Sequence, residues 1–469
     1  MRRATICALA AAWLCLSVRS ASADPRVGLN FSGVNSLGKG IAPPDTTASV
    51  GPSHIVEFVN GAFAIYNKSN GSNLSTLADW NFWINAGASV TVGALSDPRL
   101  VYDPASSRWF ACQVTTNQTT RNSILLARSD SSNPMGPWKS VSVSLNAGFG
   151  DFPMFGVDAD GVYLSTNTFA NRDSGALTGV SFFSIPKSDI LLPTPTLARM
   201  TRFENQSEVT RGFTVQPVNY FGPSKGHGSL VAVDATQLGK IDRTNIVGPA
   251  GAGATLSATT VITAEPETPP DLAFQPDGTR VLASGGSGPG DSDNYQSTVY
   301  QVGNAIWAVH ATAVAGRSAI RWTVLDESTN AIIQEGTIAN PNYDYIYASI
   351  AANAFGEAVI GFTRTGTGPS DFPSAFACIG TPQGNQTVFS DPLLLKAGLA
   401  SYHFGTMPER WGDYSTTVVD PSNPHVFWTA QEYALSSTDW GTQIAQIIVP
   451  EPAAHGLVAL AALLMRRRR

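Results

Sequence analysis

The chain has 469 residues, of which 43% are hydrophobic and only 14% are charged. This composition excludes a largely disordered chain, and the length suits one large all-β domain or two ordinary domains. The 43 glycines and 30 prolines predict many tight turns and few long helices. A formal net charge of −6 disfavours sequence-independent binding to nucleic acid, because the phosphate backbone is also negative.

The N-terminus has the three parts of a secretory signal peptide. Arg2 and Arg3 precede an apolar stretch over residues 6–18, and the small residues Ala21 and Ala23 mark a cleavage site before Asp24. The apolar stretch is shorter than the roughly 20 residues that a membrane span needs. Residues 1–23 are therefore predicted to be a signal peptide, and the protein is predicted to be exported.

The C-terminus, residues 449–469, carries a second targeting pattern. A Pro-Glu-Pro motif and an apolar stretch over 453–465 precede four arginines; the motif and cluster residues are Pro450, Glu451, Pro452, Arg466, Arg467, Arg468 and Arg469. The pattern resembles the PEP-CTERM sorting domain, in which these elements occur in this order at the extreme C-terminus. The resemblance implies a short hydrophobic helix, transient membrane anchoring and processing by an exosortase. It also implies a destination at the cell surface, outer envelope or extracellular matrix of a Gram-negative-type bacterium, where arginines at the tail would stay cytoplasmic during export.

The segment between these ends is more acidic than the whole chain. Without the seven arginines and one glutamate of the terminal segments, 22 basic residues stand against 34 acidic ones, a balance of −12. Two cysteines remain, Cys112 and Cys378. We expect two buried free thiols, with a disulfide as the alternative, because two cysteines do not form a disulfide-dependent scaffold.

Residues 24–448 contain a recurring unit in which an acidic residue precedes an apolar strand, a turn and an aromatic-bearing second strand. Weaker copies lie near residues 211 and 297, and the clear copies begin at Asp45, Asp97, Asp151, Asp344 and Asp413. The alternation of apolar and polar residues is typical of half-buried hairpins. Four-stranded units at intervals of about 45 to 70 residues predict a β-propeller, with seven blades favoured and six or eight as alternatives. A protein of two β-sandwich domains is the structural alternative.

Several segments resemble a group of secreted bacterial propeller-like proteins that have no assigned activity. They include PPDTTASVGP at 43–52, SDPRLVYD at 96–103 and RWGDYSTTVVDP at 410–421. The resemblance extends over most of residues 43–448. It implies the propeller fold and supplies no catalytic residues.

The five aspartates occupy matching positions before the first strand of their units. In a propeller such positions form a ring near the axis, where carboxylates bind Ca²⁺ through oxygen ligands. The predicted metal ring therefore consists of Asp45, Asp97, Asp151, Asp344 and Asp413. The alternative is that each aspartate accepts backbone hydrogen bonds at its own turn.

The sequence contains residues that could belong to two kinds of catalytic site. A sialidase-like glycosidase needs an arginine cluster with a tyrosine and carboxylates, for which Arg99, Arg364, Arg410 and Glu409 are available without a pattern that brings them together. The segment 222–226 matches the letters of G-x-S-x-G, but it lies between two predicted strands, whereas a nucleophile elbow lies between a strand and a helix. The catalytic residues therefore stay unknown.

The sequence thus predicts an exported, non-catalytic β-propeller that serves in binding or as a matrix scaffold. Its expected partners are the exosortase and an extracellular polysaccharide or protein ligand. The alternative function is a secreted sialidase-like glycosidase or polysaccharide lyase that acts on extracellular glycans.

Overall fold

The computed structural model describes residues 25–37, 41–173, 175–283, 295, 297–406 and 408–449. The predicted signal peptide with its cleavage site, and residues 450–469 of the predicted sorting tail, lie outside the described residues. Within the described ranges, no helix has both the length and the apolar character required to cross a bilayer.

The first strand, β1 (Arg26–Asn35), is followed by three four-stranded antiparallel sheets. Blade 1 contains β2 (Thr47–Val50), β3 (His54–Val59), β4 (Ala62–Asn67) and β5 (Asn73–Leu77). A short helix, α1 (Asp79–Asn85), leads to blade 2, which contains β6 (Leu95–Asp103), β7 (Arg108–Thr115), β8 (Ser123–Ser129) and β9 (Trp138–Ser144). Blade 3 contains β10 (Phe149–Val157), β11 (Gly161–Phe169), β12 (Leu177–Pro186) and, after α2 (Lys187–Ile190), β13 (Thr201–Gln206).

Four further blades and one separate hairpin complete the fold. After α3 (Glu208–Arg211), blade 4 contains β14 (Gln216–Tyr220), β15 (His227–Val233) and β16 (Lys240–Val247), with β17 (Thr255–Leu256) and β18 (Thr260–Thr263) both on β16. A separate hairpin of β19 (Ala273–Phe274) and β20 (Arg280–Val281) follows. Blade 5 contains β21 (Val299–Val302), β22 (Ala305–Val314), β23 (Arg317–Asp326) and β24 (Ala331–Ile338). Blade 6 contains β25 (Tyr343–Ala352), β26 (Ala358–Gly366), β27 (Ser374–Gln383), β28 (Gln386–Phe389) and β29 (Leu393–Lys396). Blade 7 contains β30 (Thr416–Asp420), β31 (Asn423–Ala434) and β32 (Trp440–Ile448).

The seven blades form a closed ring, in which β14 and β21 pair in parallel and join blades 4 and 5 into one sheet. The first strand of every blade packs against the first strand of the next, from β2 and β6 round to β30 and β2. The fourth strand of blade 7 is β1, which pairs antiparallel with β32 so that Arg26 lies opposite Ile448. The predicted seven-bladed β-propeller is therefore confirmed, and the β-sandwich alternative is wrong.

The core lies between neighbouring blades, because each sheet is covered on both faces. The interface of blades 1 and 2, for example, packs Phe58, Trp83 and Trp109, all fully buried. A strand covered on both faces carries a continuous apolar run, as in β4, where the five consecutive residues from Ala62 to Tyr66 are buried. Cys112 and Cys378 are free, buried thiols in blades 2 and 6, as expected.

Candidate functional site

Three of the five predicted ring aspartates meet at one end of the propeller axis. Asp45 precedes β2, Asp97 lies early in β6 and Asp413 precedes β30, so blades 7, 1 and 2 each contribute one carboxylate. One carboxylate oxygen from each residue lies within 4.8 Å of the others. The side chains are 1%, 5% and 7% exposed. We call Asp45, Asp97 and Asp413 the axial acidic cluster.

A recurring backbone feature positions these side chains. Asp45 and Asp97 have φ values of 51° and 59°, in the left-handed region that aspartate tolerates better than most residues. Phe152 in blade 3 and Tyr347 in blade 6, both with φ of 53°, follow the same pattern. The pairing register shifts at Asp97, Phe152 and Tyr347, which is typical of a β-bulge that redirects a side chain. Each of these bulges lies in the first strand of its blade, beside the axis.

Hydrogen bonds connect the cluster across blades. The Asn60 amide donates to Asp45 Oδ2 at 2.7 Å, and its oxygen accepts from the Asp97 backbone N–H at 3.0 Å. Asp97 also accepts from the Ser96 hydroxyl at 2.6 Å and from the Phe152 N–H at 3.1 Å. The alternative that each aspartate is satisfied at its own turn therefore does not describe Asp97, whose partners include the neighbouring blade. Asp45 Oδ1 has no hydrogen-bond partner among the described residues.

Two guanidinium groups lie beside the carboxylates. Arg410 Nη2 donates to both oxygens of Asp413, at 2.7 and 2.9 Å. The Arg99 guanidinium lies 3.3 Å from the centroid of the Tyr414 ring, and its Nε donates to the Pro153 carbonyl at 2.9 Å. Stacking and hydrogen bonding thus hold Arg99 in place, while Arg410 is ion-paired with one cluster member.

Burial and mutual repulsion oppose ionisation of this group of carboxyls. Burial and then the charges of Asp413 and Asp97 raise the pKa of Asp45 well above its usual value. Asp151 lies beside the cluster, and burial together with Asp97 and Asp413 raises its pKa to about 7. Burial raises the pKa of Asp413 to about 6 even though Arg410 opposes the shift. Near neutral pH these side chains therefore either retain protons or need additional positive charge.

Asp344 does not join the other four aspartates. Its carboxylate accepts from the backbone N–H groups of Ser318 and Phe274 at 2.9 and 3.0 Å, and it pairs with Arg317 at 2.8 Å. The bulge of blade 6 falls three residues later, at Tyr347. Asp344 therefore connects blade 5 to the β19–β20 hairpin, and the prediction that it shares the axial ring is corrected.

The residues that could serve a glycosidase do not come together in one site. Arg364 stacks between Tyr343 and Phe376, 4.0 Å from each ring centroid. Glu409 accepts three backbone N–H bonds from its own loop, from Phe404, Gly405 and Thr406. Among the arginines considered, Arg99 and Arg410 alone are seen beside the axial acidic cluster in the described part of the chain.

The G-x-S-x-G segment is the turn between β14 and β15. The Ser224 hydroxyl donates to Asp160 at 2.6 Å, whereas the neighbouring His227 ring bonds to Glu327 at 2.9 Å. Serine and histidine are thus engaged with different partners. The prediction that this segment lies between two strands, unlike a nucleophile elbow, is confirmed.

The opposite end of the axis opens into a cavity of about 500 Å³, which we call the axial mouth. The C-terminal ends of the first strands of six blades line it, and its aromatic residues are Tyr102, Tyr220, Phe221 and Tyr300. Ser49, Gln301 and Asn353 add polar groups. No sequence pattern indicates this site, because its residues come together only when the ring closes.

One carboxylate, Asp420, also lines the axial mouth. It is ion-paired with Lys68 at 2.7 Å and accepts from Trp428 Nε1 at 3.0 Å. Its oxygen also accepts the Ser422 N–H at 2.8 Å. These contacts stabilise the end of β30, so Asp420 is committed to the fold.

No protein-family model and no curated protein sequence matches this chain. Among solved structures, the chain is similar to Drosophila Plexin A in complex with Semaphorin 1b, with 9% identity, coverage of 91% of this chain and 88% of that chain, and a TM-score of 0.39. It is also similar to the WD40 domain of SCAP from fission yeast, with 7% identity, coverage of 84% and 82%, and a TM-score of 0.34. Similarity to an endo-arabinase from Bacteroides thetaiotaomicron VPI-5482 has 17% identity, coverage of 63% and 98%, and a TM-score of 0.33. These values are low, so the propeller assignment rests on the strand topology of this chain.

Proposed function

We propose that the protein is an exported, surface-directed β-propeller that binds an extracellular ligand at the axial mouth without catalysing a reaction. The observation that carries the proposal is the composition of the mouth. Aromatic rings from three blades border a cavity of about 500 Å³, and polar amides lie among them. Largely apolar cavities with a few oriented polar groups are the usual form of binding sites.

The ligand class we propose is a polysaccharide segment. Aromatic rings offer broad apolar faces for a flat ligand such as a sugar ring. The amides of Gln301 and Asn353 are hydrogen-bonded within the protein and give the rim of the mouth a fixed shape. The PEP-CTERM resemblance agrees with this class, since that sorting system resembles machinery associated with exopolysaccharide production. A protein ligand is the alternative outcome of the test.

Binding to a glycan array tests the proposal. Phe221→Ala and Tyr220→Ala should each weaken binding at least tenfold, because truncation of an aromatic anchor removes much of a site's contact area. Phe404→Ala is the matched control, since this exposed aromatic precedes β30 at the opposite end of the axis. Unchanged glycan binding by both mouth variants, with circular dichroism equal to the wild type, would refute the mouth as the binding site.

The absence of catalysis is tested separately. Glycosidases place two carboxyl groups on either side of an accessible bond, about 5 to 9.5 Å apart. The carboxyl groups of the axial acidic cluster are only 1% to 7% exposed, so they do not stand on either side of an accessible bond. Incubation with the glycans that bind should yield no shorter products. Cleavage that disappears in Asp413→Asn would establish the glycosidase or lyase alternative instead.

Export and sorting are tested in the native host type. We expect the N-terminus of the mature protein to begin at Asp24 and the tail to be processed by an exosortase. Deletion of Pro450, Glu451 and Pro452 should leave the tail intact and retain the protein in the membrane fraction. Normal processing of this deletion variant would contradict the role of the motif.

A further inference from the structure

We propose that the axial acidic cluster binds one divalent metal ion through oxygen ligands, and that its ligand set suits Ca²⁺. Asp45, Asp97 and Asp413 present carboxylate oxygens within 4.8 Å of one another, as ligands around a shared ion do. Three blades supply them, so the ion would join blades 7, 1 and 2 at the axis. The site lies at the opposite end from the axial mouth, and the inference is independent of ligand binding there.

A buried hydroxyl supplies evidence that does not depend on the acidic residues. Tyr347 is 5% exposed, and its Oη has no hydrogen-bond partner among the described residues. The Tyr347 ring lies against Gly412, the residue directly before Asp413. Besides burial, the charges of Asp413 and Asp45 contribute to raising the pKa of the Tyr347 hydroxyl. A buried hydroxyl without a partner costs about 1–3 kcal/mol. A metal ion would accept its lone pair and remove that cost.

Asp45 shows the same deficiency. Its Oδ2 accepts from Asn60, whereas no protein group in the described part of the chain donates a hydrogen bond to the buried Oδ1, and the Asp97 carboxyl lies beside it. This oxygen is therefore free to coordinate a bound cation. Tyr347 and Asp45 come from blades 6 and 1, so two separate blades each contribute a buried oxygen without a protein donor.

The local charge balance also favours a cation. The titratable groups that face the cluster are the two guanidiniums of Arg99 and Arg410, the phenols of Tyr347 and Tyr414, and five carboxyls: Asp45, Asp97, Asp151, Asp413 and Glu432. Five carboxyls exceed two guanidiniums in a buried volume. A divalent ion would allow more of the carboxyls to ionise without leaving buried negative charge uncompensated.

The ligand types determine which ion fits. All candidate donors are carboxylate or hydroxyl oxygens, and the cluster contains neither histidine nor cysteine. Hard oxygen ligands select Ca²⁺, Mg²⁺ or Mn²⁺ over Zn²⁺ and Cu²⁺. Carboxylates held by unrelated blades form an irregular set, which Ca²⁺ accommodates and the strictly octahedral Mg²⁺ does not. The side chain of Arg410, which pairs with Asp413, is 37% exposed.

Calorimetric titration of the EDTA-treated protein with CaCl₂, and in parallel with MgCl₂, tests the proposal. We expect one equivalent of Ca²⁺ to bind, Mg²⁺ to bind at least tenfold more weakly, and the melting temperature to rise with Ca²⁺. Asp45→Asn should weaken Ca²⁺ binding at least tenfold. Ca²⁺ should raise the melting temperature of the wild type and not that of the variant. Replacement of a purely structural residue would leave the Ca²⁺-induced rise in place.

Two further variants complete the test. Tyr347→Phe keeps the ring and should weaken Ca²⁺ binding several-fold. This variant tests the site if Asp45→Asn fails to fold. Asp242→Asn is the matched control, because Asp242 is a buried carboxyl of blade 4 and should leave stoichiometry and affinity unchanged. Failure of the wild type to bind either ion, with stability gained only on acidification, would show that the cluster holds protons instead. Wild-type affinity in both Asp45→Asn and Tyr347→Phe would show that the ion binds elsewhere.

Discussion

Asp242 gives a quantitative prediction about stability and pH. This residue of β16 is 2% exposed, and neither carboxyl oxygen has a hydrogen-bond partner among the described residues. Burial, with a contribution from Asp234, raises its pKa from 3.8 to about 7. The folded protein therefore binds a proton that the unfolded chain releases between these two values. The stability of the fold consequently falls as the pH rises from about 4 to 7, and stays low above that range.

The size of the effect follows from the shift. About three pKa units at 1.36 kcal/mol each correspond to about 4 kcal/mol. Asp242→Asn cannot ionise, so it should match the wild type below pH 4 and exceed it by up to about 4 kcal/mol at pH 8. For roughly 420 folded residues, this difference raises the melting temperature by about 4 to 5 °C.

Urea unfolding followed by circular dichroism at pH 4, 6 and 8 measures this difference. Asp173→Asn is the control, because Asp173 is exposed and its replacement should change stability little at any pH. A pH-independent difference between Asp242→Asn and the wild type would refute the reasoning. A variant less stable than the wild type at pH 8 would refute it equally.

Three further predictions concern the fold. Deletion of β1 removes the strand that closes the ring. The deletion should lower the melting temperature by more than about 10 °C and make the exposed β32 edge sensitive to protease. Ser32→Ala is the control, because it keeps the main-chain pairing of β1 and should leave melting temperature and protease resistance unchanged. Buried Glu57 accepts hydrogen bonds from the Tyr66 hydroxyl at 2.8 Å and from a backbone N–H of β1. Glu57→Ala should therefore lower the free energy of unfolding in urea by about 3 kcal/mol. Glu57→Gln should lower it by less. Burial raises the pKa of Cys378 to about 12, and Cys112 is buried as well. Both thiols should therefore resist labelling by maleimide until the protein unfolds, as measured by peptide mass spectrometry. Rapid labelling of the folded protein would contradict their burial.

Much of the fold is legible in the sequence because the repeat marks the inner strands. The units beginning at Asp45, Asp97, Asp151 and Asp413 match the first strands of blades 1, 2, 3 and 7. The stretch 269–283 is neither a blade nor a plain loop, but a hairpin with two-residue strands. Its turn resembles those of the repeats, and only pairing with further strands distinguishes a blade from a hairpin.

The site is less predictable than the fold. Aspartate spacing identified the three cluster members, but Asp344 was misplaced because the bulge of blade 6 lies at Tyr347, three residues farther along. Asn60, which joins Asp45 to Asp97, lies in a turn between β3 and β4 with no distinguishing motif. Asn60 can join Asp45 to Asp97 only because blades 1 and 2 lie close together. The sequence of a single repeat does not show which residues of neighbouring blades will be close.

The pairing of β1 with β32 has a consequence for the order of assembly. The two strands are separated by more than 400 residues, as the contact between Arg26 and Ile448 shows. During synthesis β1 emerges first and finds its partner only when the last strand has appeared. Asp413 also belongs to the last blade, so the axial acidic cluster is incomplete until the same moment. Ring closure and assembly of the axial site are therefore one late event, and a chain halted before blade 7 has neither.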